Sequence, residues 1–256
     1  YTFTLRQNGR WSNGDPVTAH DFAYSFRRIL NPNLGSQYAS MLYPLKNASS
    51  YHQGHKAWEE AEVGVAVLDD FTLQLTLENP VPYFLQLLNH YSWFPVHRPT
   101  IEKHGAYEKI GTAWTKPQNF VGNGPFLLSG HQINSVIEVK KNDAYWDADA
   151  VQLKGIRFYP IEATFTEERA YRSGFLHLTQ SVSADRIDFL KEKYPDDLHF
   201  EPYLGTYFYR FNLKAPPFDD QRVRQAFCLA VDRERLVDKV LKGGQLPATS
   251  FTPPGT

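Results

Sequence analysis

Alternating apolar and polar residues predict several strands along the chain. Residues 1–6 alternate in this way, and residues 71–77, Phe-Thr-Leu-Gln-Leu-Thr-Leu, alternate strictly. A strand places successive side chains on opposite faces, so each segment can bury one face. The same pattern predicts a hairpin of residues 126–128 and 136–139, a strand at 153–159, and an aromatic strand at 206–211 that is buried on at least one face.

A helix is predicted between two turn-forming segments near the start of the chain. Thr18 followed by Asp21 matches a capping box, with the acid near the positive end of the helix. Phe22 and Phe26 then recur at helical spacing, and Pro32 ends the pattern.

Helical spacing and capping residues also predict which face of this helix is polar and where the later helices lie. Arg27 and Arg28 are predicted to point outward. Four more helical segments are predicted: a short one opened by Pro82; one capped by Thr164 and Glu167 that ends at Gly174; one from Ser183 to about Lys193; and one from Asp219/Asp220 toward Ala230, restarted at Asp232 through Leu241.

The order of these elements predicts a mixed α/β (α+β) fold. Strands and helices alternate without a regular βαβ rhythm, which favours a mixed α/β sheet over a barrel. Residues 95–125 are rich in Pro, Gly and Asn, so a domain boundary is predicted near the start of that stretch.

Composition excludes some classes of function. The chain has 256 residues, 42% hydrophobic and 15% aromatic, so it can bury a sizeable core. The net charge is −1, from 27 basic and 28 acidic residues, whereas a protein that binds nucleic-acid phosphates normally carries a basic excess. No run of about eighteen apolar residues predicts a membrane-spanning helix.

The single cysteine and the two ends of the chain allow two further predictions. Cys228 lies in an apolar helical setting and is predicted to be a small buried hydrophobe rather than a reactive thiol. The chain begins as a strand and ends in a loop, without a signal peptide, so we expect it to be an internal fragment of a longer protein.

The sequence offers no catalytic or metal-binding pattern. His52 and His55 lack the Glu of a zinc-binding HExxH motif. Gly122 and Gly124 resemble the start of a phosphate loop, but Pro125 lacks the N–H that such a loop requires. No cofactor, metal or catalytic residue is predicted.

One segment carries a family resemblance. Residues 11–28, Trp-Ser-Asn-Gly-Asp-Pro-Val-Thr-Ala-His-Asp-Phe-Ala-Tyr-Ser-Phe-Arg-Arg, closely resemble bacterial periplasmic oligopeptide-binding proteins, which are family 5 extracellular solute-binding proteins. Further matching segments follow in family order: 36–40, 69–70, 79–84, 121–126, 171–174, 216–218, 222–226 and 232–233. The resemblance spans essentially the whole chain. Residues 11–16 and 121–126 are predicted to be architectural rather than ligand contacts.

The resemblance implies a fold and a domain order. Family members are class II periplasmic binding proteins, with two lobes around a hinge and an additional domain inserted in one lobe. Residues 1–97 resemble the additional domain, residues 98–204 part of the hinge lobe I, and residues 205–256 the start of the opposite lobe. The main ligand anchors are expected outside these residues.

The resemblance also implies ligand-binding positions. Tyr38, His90 and Gln180 match positions near the family's peptide cleft, and each is also compatible with a surface or packing role. Gly205 and Arg210 stand where well-known members have a cysteine and an acid. Arg210 is therefore a ligand-binding candidate whose charge could alter the peptide preference.

The function implied is capture of oligopeptides for an ABC importer, without covalent chemistry. The implied partners are a peptide and the permease subunits, with no nucleic acid, and the protein is expected to be monomeric. It would be periplasmic or lipid-anchored outside the cytoplasmic membrane. The alternatives are another solute in the same fold (dipeptide, murein peptide, nickel complex, haem or oligosaccharide), the sensor domain of a transcriptional regulator and, last, an enzyme.

Overall fold

The computed structural model describes residues 1–201 and 203–254, and the chain divides into two compact units, Tyr1–Pro160 and Ile161–Thr256. The first unit contains β1 (Thr2–Thr4), α1 (Ala19–Leu30), α2 (Ala48–His52), α3 (Trp58–Ala61), β2 (Val65–Asp69), β3 (Thr72–Leu75), α4 (Phe84–Leu87), α5 (Arg98–Lys103), β4 (Phe126–Gln132), β5 (Val136–Lys141) and β6 (Gly155–Phe158). The second contains α6 (Thr164–Arg172), α7 (Ile187–Lys193), α8 (Gln221–Ala230) and α9 (Arg233–Arg235), which continues as a π-helical segment, Leu236–Leu241. Helices and strands are intermixed, as predicted.

The first sheet has the antiparallel order β1-β3-β2. The predicted central strand, β3, buries Leu73 and Leu75 and leaves the alternate residues half-buried, which is the burial pattern its sequence predicts. The sequence analysis missed β2, which leaves its regular register between Val67 and Asp69. Such an irregular, partly exposed edge strand carries a weak alternation signal.

Helix α1 begins and ends where predicted. The Thr18 N–H donates to the Asp21 carboxylate at 2.8 Å, and the helix ends at Leu30 before Asn31 and Pro32. Its apolar face is buried through Phe26 and Leu30.

The prediction that both arginines of α1 point outward was wrong for Arg28. Its Nε and Nη2 atoms both donate to the Ala106 carbonyl, at 3.1 and 2.9 Å, and the side chain is partly buried there. A planar guanidinium can satisfy one carbonyl with two N–H groups, and burial among other residues lowers the pKa of Arg28. Arg27 reaches the exposed Glu59 at 2.8 Å.

The core of the first unit lies between α1, the first sheet and the turns that follow. Trp93 packs edge-on against Phe26 and Phe84, with ring centroids 5.3 and 5.5 Å apart. All three side chains are nearly inaccessible to solvent. Trp93 therefore anchors the short 3-10 helix Tyr91–Trp93 in the core.

The second sheet has the antiparallel order β4-β5-β6. Its first two strands form the predicted hairpin. The buried Asn142 holds the preceding loop, because its Nδ2 donates to the Gly124 carbonyl at 2.8 Å and its backbone N–H donates to the Pro125 carbonyl at 2.9 Å.

In the second unit, the helix predictions hold except for one cap. Gly174 has φ +77°, the left-handed conformation expected after α6. Thr164 is the first residue of α6 and Ala163 is its N-cap, so the predicted cap by Thr164 and Glu167 was wrong. The Glu167 carboxylate accepts the N–H of Gln180 at 2.9 Å instead, because that later loop brings an unpaired donor within its reach.

Two burial predictions in the second unit were also wrong. Residues 206–211 form no strand, and neither side of the segment is buried: Tyr207 and Tyr209 are 86% and 80% exposed, and Phe208 on the alternate side is 42% exposed. A strand needs a neighbouring strand for its hydrogen bonds, and none pairs with this segment within residues 1–201 and 203–254. Cys228 and its neighbour Leu229 on α8 are exposed, because the described residues that pack on this helix contact Phe227 rather than this face.

Candidate functional site

The first unit brings two of the predicted ligand-binding residues together. The rings of Tyr38 and His90 lie 5.0 Å apart at the surface. Tyr91, which the sequence analysis did not single out, completes the group: its ring stacks on His90 at 4.2 Å and meets Tyr38 edge-on at 5.5 Å. We call Tyr38, His90 and Tyr91 the aromatic trio.

Two short 3-10 helices position the trio. Tyr38 precedes Ala39–Leu42, which buries Ala39 and Leu42 in the core. His90 precedes Tyr91–Trp93, in which Ser92 and Trp93 are buried. Buried residues thus fix both backbones, while 45% of Tyr38 and 60% of Tyr91 stay exposed.

The hydrogen bonds at His90 indicate which tautomer its neutral ring adopts. The Ser92 N–H donates to Nδ1 of His90 at 3.2 Å, and the Ser92 hydroxyl lies 2.7 Å from the same nitrogen. Because Nδ1 accepts, the neutral imidazole carries its proton on Nε2. The ring therefore retains one N–H donor besides its aromatic face.

The electrostatic character of the trio is set by its hydroxyl groups. The neighbouring Tyr38 side chain raises the pKa of the Tyr91 hydroxyl above its ordinary value of 10.0. Tyr91 therefore stays protonated and neutral at physiological pH. Neutral rings with hydroxyl and N–H groups can pack against apolar groups and hydrogen-bond to peptide amides.

The other two predicted residues, Gln180 and Arg210, lie in the second unit. The backbone of Gln180 is held by Glu167, and its side chain is exposed. The Arg210 guanidinium lies 5.4 Å from the Phe208 ring centroid. Among the described residues, no hydrogen bond or ring contact joins Gln180 to Arg210.

Arg210 borders an open groove that the sequence analysis did not predict. The groove is lined by Arg210, Phe211, Leu213, Gln221, Arg224, Gln225, Cys228 and Leu229. Its residues come from the loop before α8 and from α8 itself. The groove exists only where these two segments pack together, so the sequence pattern could not predict it. Tyr91, in contrast, directly follows the predicted ligand-binding residue His90 in the sequence, so the sequence could have indicated it.

The tryptophan of the first family motif packs inside the protein. Trp11 is 1% exposed, and its Nε1 donates to the Asp21 carboxylate at 3.3 Å. Gly14 has φ +94°, which favours glycine in this turn. His97 is buried against Trp11, and its Nε2 lies 2.9 Å from the Asp15 carboxylate.

The two predicted architectural motifs also contact each other. The Ser12 N–H donates to the Gly122 carbonyl at 2.9 Å. The Gly122 N–H in turn donates to the Ser12 hydroxyl at 3.4 Å, so both backbone and side-chain groups of Ser12 link the two motifs. The buried Trp11 and these backbone contacts indicate structural partners for both motifs. That the motifs do not contact the ligand stays a prediction.

Neither a metal site nor a membrane span emerges from the described part of the chain. No group of three or more His, Cys, Asp and Glu residues there could hold a metal ion. The Nδ1 atom of His52 lies 2.9 Å from the Leu30 carbonyl, so this ring has a structural partner. The described helices include none that is long and apolar enough to cross a bilayer.

Known proteins resemble this chain along its whole length. The periplasmic oligopeptide-binding protein OppA of Salmonella typhimurium is 41% identical over 259 aligned residues, which cover 100% of this chain and 46% of the relative. The chain thus spans about half the length of the curated relatives it matches.

Solved structures give the same result. The murein tripeptide binding protein MppA of Escherichia coli has a TM-score of 0.92 and 35% identity, covering 100% of this chain and 49% of that structure. OppA of Haemophilus influenzae in complex with RPPGFSPFR has a TM-score of 0.90 and 38% identity, and the match covers 98% of this chain and 48% of that structure. The family described as bacterial extracellular solute-binding proteins, family 5 Middle, matches residues 1–256. This chain therefore belongs to the family 5 bacterial extracellular solute-binding proteins, as its motifs predicted.

Proposed function

We propose that the protein containing this chain captures oligopeptides and delivers them to the permease of an ABC importer. The observation that carries the proposal is the similarity along the whole chain to oligopeptide-binding proteins, one of them solved in complex with RPPGFSPFR. The proposed location is the periplasm, or the outer side of the cytoplasmic membrane through a lipid anchor. The proposed partners are the peptide and the permease subunits, and the protein acts as a monomer.

The chemistry of the trio fits capture without reaction. Tyr38 and His90 offer a hydroxyl, a ring N–H and apolar faces, which suit hydrogen bonds to a peptide backbone and contact with its side chains. The Ser92 hydroxyl lies 2.7 Å from Nδ1 of His90, but Ser92 is buried, so the described structure does not present this hydroxyl to a substrate as a nucleophile. We infer a binding protein rather than an enzyme.

We further propose a division of labour along the chain. Residues 1–97 would form the additional domain and contribute Tyr38 and His90. Residues 98–204 would belong to hinge lobe I and contribute Gln180, and residues 205–256 would begin the opposite lobe with Arg210. An extended peptide would bind through its backbone, much as a strand joins a sheet edge.

Titration calorimetry of the complete gene product with pools of short peptides tests this function. We expect saturable heat from at least one pool. Replacing Tyr38 or His90 by Ala should weaken binding at least about fivefold, since an anchor residue contributes about 1 kcal/mol or more. Tyr83→Ala is the matched control, because Tyr83 is similarly exposed, at 59%, and lies outside the trio. The absence of heat from every peptide pool, together with binding of a sugar or a nickel chelate, would overturn the proposal.

A murein peptide is the second candidate ligand, because the structure of a murein tripeptide binding protein has a TM-score of 0.92 to this chain. Titration with a murein tripeptide beside ordinary tripeptides separates the two candidates. The regulator alternative is decided by the codons upstream of Tyr1: a signal peptide supports transport, and a helix-turn-helix supports regulation.

A further inference from the structure

Tyr91 is an exposed aromatic residue whose position is fixed by its neighbours. Its ring is inclined by 30° to that of His90 and by 80° to that of Tyr38. Sixty per cent of the residue nevertheless remains accessible to solvent. Two neighbours therefore support the ring, and a large part of its surface is available to a further group.

The Tyr91 side chain is not part of the hydrophobic core. Ser92 and Trp93, the next two residues, are buried and hold the 3-10 helix in place. Tyr83 shows the contrast: it is similarly exposed, but no ring contact supports it within the described structure. A supported ring loses little rotational freedom when a ligand binds, so Tyr91 is preorganised for contact in a way that Tyr83 is not.

The surface of the trio also restricts the chemistry of its ligand. The aromatic faces are apolar, and the Tyr91 hydroxyl, whose pKa the neighbouring Tyr38 side chain raises, is uncharged at physiological pH. An anionic side chain placed against these rings would lose water without gaining a countercharge from the ring faces or the Tyr91 hydroxyl. An aromatic side chain would instead gain stacking or edge-to-face contacts.

We propose that Tyr91 is a specificity-determining residue that favours peptides with an aromatic side chain at the position facing the trio. This inference rests on the proposed function, since it assumes that a peptide binds at Tyr38 and His90. Tyr91 would contribute the contact with the peptide side chain, while the other two residues also offer hydrogen bonds to its backbone. The preference would be local to one position of the peptide.

Calorimetry with the complete gene product and a scanning set of tetrapeptides tests the inference. The set consists of tetra-alanine and its variants with Phe, Glu or Lys at each position in turn. We expect Phe at one position to strengthen binding relative to Ala. Tyr91→Ala should reduce that gain, measured as the ratio of the Phe-peptide affinity to the tetra-alanine affinity in the same protein, about two- to tenfold, the size of an aromatic pair contribution.

Two further variants control for folding and for the hydroxyl group. Tyr91→Phe keeps the ring and should retain the preference, and Tyr83→Ala should bind every peptide like the wild type. Unchanged Phe selectivity in Tyr91→Ala, or an equal gain for Lys in the wild type, would overturn the inference and leave the peptide function standing. Failure of the wild type to bind any peptide would instead contradict the proposed function itself.

Discussion

At the residue scale, Asp21 links the first family motif to helix α1. Its carboxylate accepts the Trp11 indole N–H at 3.3 Å, the Thr18 backbone N–H at 2.8 Å and the Thr18 hydroxyl at 3.2 Å. The side chain is buried. One acid therefore caps the helix and satisfies the buried tryptophan of the motif.

Asp21→Ala should lower the free energy of unfolding by about 1–3 kcal/mol, because it leaves buried donors without an acceptor. Urea denaturation of the complete gene product measures the change. Asp143→Ala, at an exposed acid of the same unit, is the control and should stay within about 0.5 kcal/mol of the wild type. Equal effects of the two variants would show that the Asp21 contacts contribute nothing.

Glu168 and Arg186 form an ion pair in the second unit that makes stability depend on pH. The guanidinium donates to both carboxylate oxygens, at 3.1 and 2.9 Å, and this pairing lowers the pKa of Glu168 from its usual 4.5. A lowered folded-state pKa contributes stability above the unfolded-state value, and that contribution is lost as the pH falls below it.

The free energy of unfolding of the wild type should decrease as the pH falls through 4.5 and below. We expect this decrease to be smaller in Glu168→Gln, because the amide cannot be protonated in this range. Urea midpoints measured at a series of pH values give this slope. The exposed Glu162, replaced by Gln, provides the comparison and should leave the slope unchanged. A wild-type slope in Glu168→Gln would rule out the ion pair as its source.

At the element scale, Gly64 allows three segments to meet at the edge of the first sheet. Its N–H donates to the Lys46 carbonyl at 2.9 Å, and its carbonyl accepts the Thr76 N–H at 2.9 Å. A Cβ atom at Gly64 would collide with the Thr76 carbonyl oxygen. The missing side chain is thus a requirement of this close approach.

Gly64→Ala should destabilise the protein by about 1–3 kcal/mol or more, because backbone atoms would have to move. Chemical denaturation provides the measurement. Gly124→Ala is the matched control, since a Cβ atom there would meet open space. A difference of less than about 0.5 kcal/mol between the variants would contradict the predicted collision.

At the scale of the whole molecule, a bound peptide should stabilise the folded protein. Any ligand that binds only the folded state shifts the unfolding equilibrium, by about 2.7 kcal/mol at a concentration one hundred times Kd. The melting temperature of the complete gene product should therefore rise with a peptide that gives heat in calorimetry. The same peptide should raise it less in Tyr38→Ala, and an equal rise in both proteins would exclude Tyr38 from the site.

The sequence alone determined the local elements and the family. Thr18 and Asp21 predicted the start of α1, the alternation of residues 71–77 predicted β3, and Asp220 predicted the start of α8. These signals are readable because a cap or a periodic face depends on residues within one or two turns. The ordered motifs identified the family for the same reason, since each is a short continuous segment.

Tertiary structure alone decided which distant residues meet and which faces are covered. Only the packing of Trp93 and Leu42 in one core brings Tyr91 and His90 to Tyr38, and only the turn at Ala106 draws Arg28 inward. Apolar pattern likewise predicted burial for Cys228, yet the described residues leave it exposed. The physical reason is common to these cases: periodicity shows that a face can be buried, whereas burial requires a partner surface that no local segment encodes.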